Sequence, residues 1–369
     1  MKYYETTFEE YIHSCSEYNI HPELDKYISS FPDSIYDMKQ MIIYGPTGVG
    51  KYTQTLRILE KYSPSKLKYE KKITAVTDKQ SYQYKISDIH YEIDMSMLGC
   101  YSKTLWHEIF SQVIDIISVK PSKVGIIVCK NFHMIHSELL ETFYSYIQQY
   151  NHNQTTIIVK FILITDHISF IPNKILDVCN VVKVERPSKE KYSTIATTNL
   201  KNFTTPLDNE SILNRVSKPR QIVDNAKKKN IIGLVKSIDV SGITNTKELR
   251  SFDLLFSNNN QTQILPDDNF NIVCNKIIEA IIIEKDVDYL SLRDTLYDIL
   301  TYNLDTIECI WYILSYLIHN MHLDKKDISD ICINMYSFLK YYNNNYRPIY
   351  HLESIFYYIT NKVRGFHEL

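Results

Sequence analysis

An apolar tetrapeptide, MIIY (41–44), runs straight into GPTGVGKY (45–52), and a helix-compatible stretch follows from Thr53 to Lys61. Strand, G-x-x-x-x-G-K, then helix is the arrangement of a phosphate-binding loop, and it constrains the fold more than any other feature of the chain. Glycines let successive backbone N–H groups turn inward around phosphate oxygens. The helix start adds its positive end, and Lys51 adds a point charge for the outer phosphates. Glycine is scarce, with 8 in 369 residues, against a usual share of roughly 7 per cent. A chain so sparing of glycine keeps it where the backbone needs it, and Gly45, Gly48 and Gly50 all fall in this loop. The nucleotide-binding candidates are therefore Gly45, Pro46, Thr47, Gly48, Val49, Gly50, Lys51, Tyr52 and Thr53.

Tyr52 departs from the pattern. The residue after the lysine is ordinarily Ser or Thr, whose short hydroxyl ligates Mg²⁺. A phenol carries its oxygen too far from the backbone for that inner position, and Thr53, about 100° further round a helix, does not replace it. Hydrolysis also needs an acidic strand end to hold the metal and the attacking water. The apolar strand GIIVC (125–129) is followed instead by Lys130, Asn131, Phe132 and His133, and a lysine there repels the metal. FILITD (161–166) offers Asp166, as a metal acid, as a polar residue sensing the γ-phosphate, or as a plain strand-end turn residue. ATP or ADP is thus expected on the strength of the loop, while the case for Mg²⁺ is weak. No catalytic or metal-ligating residue is assigned. His133 and His136 have no evident third ligand, His107-Glu108 lacks the second histidine of a zincin pattern, and Lys227, Lys228 and Lys229 read as a solvated helix end.

Around the loop, short β-branched runs alternate with helical stretches. The predicted strands are 41–44, 72–76, 90–94, 124–129, 157–165 and 181–184, and the helices lie near 51–61, 103–118 and 136–150. This implies a mostly parallel α/β sheet over 41–186, with a helical segment over 1–40 before it. Residues 187–240 read as a small helical domain and 241–267, which contain SNNNQTQ (257–263), as a linker. From 268 to 369 the chain reads as helix. Leu292, Leu296, Ile299 and Leu300, then Ile310, Ile313, Leu314, Leu317 and Ile318, then Ile328, Ile331, Met335 and Leu339 recur at helical spacing, which predicts an all-α bundle.

With 44% hydrophobic and 23% charged residues and a formal net charge of −2, the chain is neither disordered nor a polycationic nucleic-acid coat. A local phosphate-tracking face remains compatible with that balance. Cys15, Cys100, Cys129, Cys179, Cys274, Cys309 and Cys332 are scattered without a C-x-x-C pair, as expected of free thiols in a reducing compartment. The N-terminus carries acids where a signal peptide has an apolar core, and the longest apolar run, Cys309 to Ile318, is too short to span a bilayer. A soluble, intracellular protein with no membrane partner is expected.

These motifs resemble a small subunit of the replication factor C clamp loader, an AAA+ family, and within it the type with a degenerate ATPase site. YGPTGVGKYT (44–53) is similar to that type's divergent loop, and KITAVTDKQSYQYKISDIHYEIDMS (72–96) to its strand pair. LLETFYSYIQQY (139–150) and KFILITDHISFIP (160–172) resemble its helix and sensor strand, and VVKVERPS (181–188) its exit into a lid. LRDTLYDILTYNL (292–304) and IYHLESIFYYI (349–359) resemble its C-terminal collar. The resemblance implies an AAA+ P-loop parallel-sheet domain, a helical lid and an all-α collar that serves oligomerisation. It makes Lys51 the phosphate lysine, Asp166 the sensor-1 position and Arg220, in SKPRQIVDNA, the lid's sensor-2 arginine. The family's acidic Walker B pair falls on Lys130 and Asn131. Its Ser-Arg-Cys motif, whose arginine reaches a neighbour's ATP site, falls on Asp177, Val178 and Cys179.

The function so implied is nucleotide binding without efficient hydrolysis, in a hetero-pentamer with other clamp-loader subunits that loads a sliding clamp onto primer–template DNA. The helix near Thr104 to Ile117 is a candidate for contact with the clamp. A cellular protein of this kind would be nuclear, and one from a large DNA virus could work in cytoplasmic factories. Two alternatives stay open: an autonomous P-loop ATPase, such as a replication initiator or helicase loader using Asp166, and a nucleotide-free scaffold.

Overall fold

The computed structural model describes residues 6–76, 81–150, 156–188, 190–191, 269–282, 289–302, 304–320, 323–342 and 347–365. The chain divides into two compact units, Met1–Phe31 with Thr47–Ile58 and Val184–Leu265, and Pro32–Pro46 with Leu59–Lys183 and Pro266–Leu369.

The second unit contains a seven-stranded sheet. Its strands are β1 (Gln40–Tyr44), β2 (Lys71–Val76), β3 (Ser81–Ile86), β4 (His90–Asp94), β5 (Val124–Lys130), β6 (Ile158–Thr165) and β7 (Cys179–Lys183), ordered β2-β3-β4-β5-β6-β1-β7. From β4 to β7 every neighbouring pair is parallel. Strands β2, β3 and β4 are antiparallel to one another in turn. The central parallel strands are covered on both faces and so read as unbroken apolar runs: Met41, Ile42 and Ile43 in β1, and Ile126 to Cys129 in β5, are all buried. Strand β3 behaves differently, since SYQYKI begins by alternating exposed and buried residues, the mark of a sheet margin with one wet face.

Helices α4 (Ser102–Val119) and α5 (Ser137–Gln149) bring Trp106, Phe110 and Phe143 to the same core as Phe132 of the β5–α5 connection and Phe161 of β6. The rings of Phe143 and Phe161 meet edge-on at 5.7 Å. Burying side chains of this size contributes about 1.5–3 kcal/mol each. Gly125 of β5 marks a close approach: a Cβ there would lie 2.5 Å from Ile117 Cδ1 of α4 and 3.1 Å from Tyr91. A short α6 (Asn173–Leu176) precedes β7.

In the first unit, α1 (Phe8–Glu17) begins at a capping box in which Thr7 and Glu10 satisfy each other's backbone N–H groups. Helix α2 (Glu23–Ser29) follows, and α3 (Lys51–Tyr62) starts in this unit.

The elements described in the C-terminal part of the second unit are helices: α7 (Asn269–Ile282), α8 (Tyr289–Thr301), α9 (Thr306–His319), α10 (Lys325–Tyr342) and α11 (Pro348–Arg364). The expected stripes form its core, where Leu292, Leu296, Ile299, Ile310, Ile313, Leu314, Leu317, Ile331, Met335 and Leu339 are buried together. Arg293 of α8 grips Glu353 of α11 through two nitrogens, and Lys362 bridges Asp327 and Asp330 of α10 at 3.1 and 3.3 Å. Among the described residues no helix is long and apolar enough to cross a membrane. Apart from 187–188 and 190–191, the regions expected as lid and linker, with Arg220 and Lys227 to Lys229, lie outside the described residues.

Candidate nucleotide-binding site

The loop leaves β1 after Tyr44, which pairs with Thr165, the last residue of β6. It therefore departs from the carboxyl edge of the parallel strands, where sheets of this type take their ligands. Gly48 and Gly50 have φ of 72° and 92°, left-handed values that side-chain-bearing residues avoid. This is the local reason for the glycine spacing. Val49 between them is fully buried, Lys51 is 8% exposed and opens α3, and the Gln54 N–H donates to the Gly50 carbonyl at 3.1 Å. Tyr52 turns its ring onto Tyr11 of α1, edge to face at 5.1 Å. The residue standing where a metal-binding hydroxyl is expected thus has an aromatic packing role.

Side chains of the first unit converge on this loop and helix. The His21 ring meets the Val49 carbonyl oxygen through Nε2 at 2.7 Å and the Glu23 carboxylate through Nδ1 at 3.1 Å. Gln54 donates to Asn19 at 3.0 Å, and Arg57 pairs with Asp25. Burial of Glu23 works against its charge, yet bonds from its own backbone N–H and from His21, with Lys191 nearby, outweigh this and hold its carboxyl below the usual range.

The end of β5 is built on different chemistry. Lys130 lies 3.8 Å from the carboxylate of Glu92 on β4, which is almost fully buried and also meets His90 at 3.4 Å. Asn131, in the left-handed conformation at φ 50°, donates through Nδ2 to both carboxylate oxygens of Asp94 at 3.0 Å. His133 engages Asp166 twice: its Nδ1 accepts from the Asp166 N–H at 3.3 Å, and its Nε2 faces Oδ2 at 3.5 Å. The first bond puts the ring proton on Nε2, which then donates to the carboxylate. Burial pushes the Cys129 thiol well up, and the Cys179 thiol up to about 12. Neither is a ready nucleophile.

Three carboxylates, Glu92 inside β4, Asp94 at its end and Asp166 just after β6, thus meet three side chains from the β5 end. The sequence pointed to Lys130, Asn131 and Asp166 but not to their partners. Glu92 and Asp94 were hidden inside an unremarkable strand, HYEID, because their role depends on the register that sets Asp94 opposite Lys130. His21 was missed altogether, as a lone histidine in a helical segment carries no signal by itself. His133 meets Asp166, while His136 stands at the start of α5 with its Nδ1 buried and unbonded. Asp177 ends α6 and Cys179 opens β7.

No protein-family model matches the chain. Among curated proteins it is similar to replication factor C subunit 5 of Saccharomyces cerevisiae, 23% identical over 294 residues that cover 76% of this chain and 77% of that one. Among solved structures, a point mutant of RuvB from Thermotoga maritima overlaps 79% of this chain and 85% of its own at 12% identity and a TM-score of 0.41. PCH-2 of C. elegans overlaps 70% of this chain and 66% of its own at 13% identity and a TM-score of 0.37. Superpositions that loose carry no argument. A glycine loop leaves a seven-stranded, mostly parallel sheet, in a chain that is similar along about three quarters of its length to a replication factor C subunit.

Proposed function

We propose that the chain is a small subunit of a replication factor C-like clamp loader, which grips ATP or ADP without hydrolysing it efficiently. Its place is one position in a hetero-oligomeric ring, a hetero-pentamer by resemblance, that loads a sliding clamp onto primer–template DNA, in the nucleus of a cellular source. The observation that carries this reading is the contrast at the strand edge. The loop keeps its backbone cradle and Lys51, while Lys130 and Asn131 put a cation and an amide where water activation needs a carboxylate. Residues 45–53 would hold the phosphates through backbone N–H groups and Lys51, with Asp166 and Arg220 as sensors. The loop fits that task because its φ angles are those a phosphate cradle needs. Tyr52, packed on Tyr11, supports only a weak role for Mg²⁺. Bound nucleotide would supply the energy that closes the ring, and neighbouring subunits would supply hydrolysis.

The helical region 268–369 would be the collar. Trp311 and Ile333, 42% and 68% exposed on the outside of its core, suit a surface that other subunits cover. The exposed side of α4, with Lys103, Thr104 and His107, is the candidate for clamp contact.

Turnover and copurification test this together. The intact chain should show no Mg²⁺-dependent turnover above background, and it should copurify with other AAA+ subunits in a manner lost when 268–369 are removed. Robust turnover abolished by Asp166→Asn would overturn the reading in favour of an autonomous ATPase. Absence of nucleotide from both the isolated chain and the assembled ring would favour a pure scaffold.

A further inference from the structure

His21 lies between α1 and α2 and is only 1% exposed. Its two ring nitrogens face two acceptors, the Val49 carbonyl oxygen at 2.7 Å and the Glu23 carboxylate at 3.1 Å. Neither acceptor can donate, so only the doubly protonated ring satisfies both; a neutral ring keeps one bond and turns a lone pair on the other oxygen. Charged and polar groups surround the ring. Glu23 faces the ring from α2 and takes Lys191 at 3.4 Å, while Lys191 also donates to the Ile20 carbonyl at 2.8 Å. Asp25, further along α2, is held by Asn19 and by Arg57 of α3. Cys15 of α1 lies beyond Asn19 and Gln54.

The contact on the loop is specific. The Val49 carbonyl and the Gly50 N–H belong to one peptide plane, and in a trans peptide they point in opposite directions. Fixing the carbonyl on His21 therefore aims the Gly50 N–H away from the histidine. Gly50 itself, at φ 92°, leaves the ring room, since a Cβ there would lie 4.0 Å from His21 Nε2.

We propose that His21 is a positioning residue of the phosphate cradle: its ring pins the Val49 carbonyl and so orients the Val49–Gly50 peptide, aiming the Gly50 N–H at the bound phosphate on the side away from the histidine. This rests on the reading that the loop grips nucleotide. Lys191 then ties the same histidine, through Glu23, to the residues that follow β7.

The test uses the intact chain. ATP is titrated calorimetrically into the native protein, His21→Gln, His21→Ala and His21→Leu, and hydrogen exchange of the amides at 48–52 is followed in parallel without nucleotide. His21→Ala should raise the dissociation constant about tenfold, as befits loss of one hydrogen bond to the cradle, with faster exchange at 48–52. His21→Gln, which keeps an amide donor, should restore most of both. Native affinity and native exchange in His21→Ala overturn the proposal; if that variant fails to fold, His21→Leu, which fills the space without a donor, decides it by the same two readouts. If no variant binds ATP, the gripping function fails. The histidine contact then stands if exchange at 48–52 still depends on His21, and falls if it does not.

Discussion

The glycine loop after β1 and the end of β5 make opposite use of the sheet they extend. The loop works through its backbone: Gly48 and Gly50 hold left-handed angles, Val49 is buried between them, and a histidine from outside the loop meets its carbonyl. The β5 end works through side chains. Lys130 and Asn131 face Glu92 and Asp94, and His133 takes Asp166. A backbone cradle survives substitution of the residues around it, whereas a catalytic carboxylate does not. The side chains at this strand edge are paired with carboxylates of the neighbouring strands. The proposed separation of nucleotide binding from hydrolysis rests on that difference.

Lys51→Ala should break the loop's half of that contrast with the largest effect. ATP affinity should fall about 100-fold or more, the value of a charge-assisted contact to phosphate, while circular dichroism stays unchanged. If affinity holds, the cradle is not where nucleotide binds.

On the other side, Lys130→Ala should act on stability and leave ATP affinity alone. It removes the ammonium that lies 3.8 Å from the buried Glu92 carboxylate, and urea unfolding should show a loss of about 1–3 kcal/mol. A change in nucleotide affinity without a stability change would return this residue to the binding machinery.

Asn131 sharpens the point by splitting backbone from side chain. Asn131→Ala loses both bonds to Asp94 and must hold φ 50° with a Cβ, for a cost of about 1–2 kcal/mol. Asn131→Gly loses the bonds but accepts the angle, so it should cost less.

Much of this architecture is legible in the sequence because its signals are local. The strand before GPTGVGK, the apolar run of β5 and the stripes of α8, α9 and α10 each declare themselves within a window of one element. Strand β3 is not legible in that way, since SYQYKI is polar and half exposed. The site was readable only in part, for a related reason. That Lys130 and Asn131 lack the expected charge can be read directly, but that Glu92 and Asp94 receive them depends on the β4–β5 register across a gap in sequence. His21 meets Val49 from 28 positions away, beyond any periodicity.

The smallest effect concerns acid stability of the sheet. Burial alone would raise the Asp88 carboxyl, but the Ser65 N–H and the Ser63 hydroxyl outweigh it and hold it below its ordinary value of 3.8. A depressed native value means stability that is present above 3.8 and lost as pH falls through the lower native value. Asp88→Asn should therefore flatten the acid limb of the unfolding midpoint against pH, with no effect near neutrality.

The claim that gripping has been kept and hydrolysis lost is tested most directly by what the chain holds after meeting its ligand. The intact protein is incubated with ATP and Mg²⁺, passed through a desalting column, and its bound nucleotide identified by chromatography over time. The account predicts one equivalent of intact ATP that persists, with no release of phosphate above the protein-free rate. Recovery of ADP with steady phosphate release, abolished in Asp166→Asn, would contradict it.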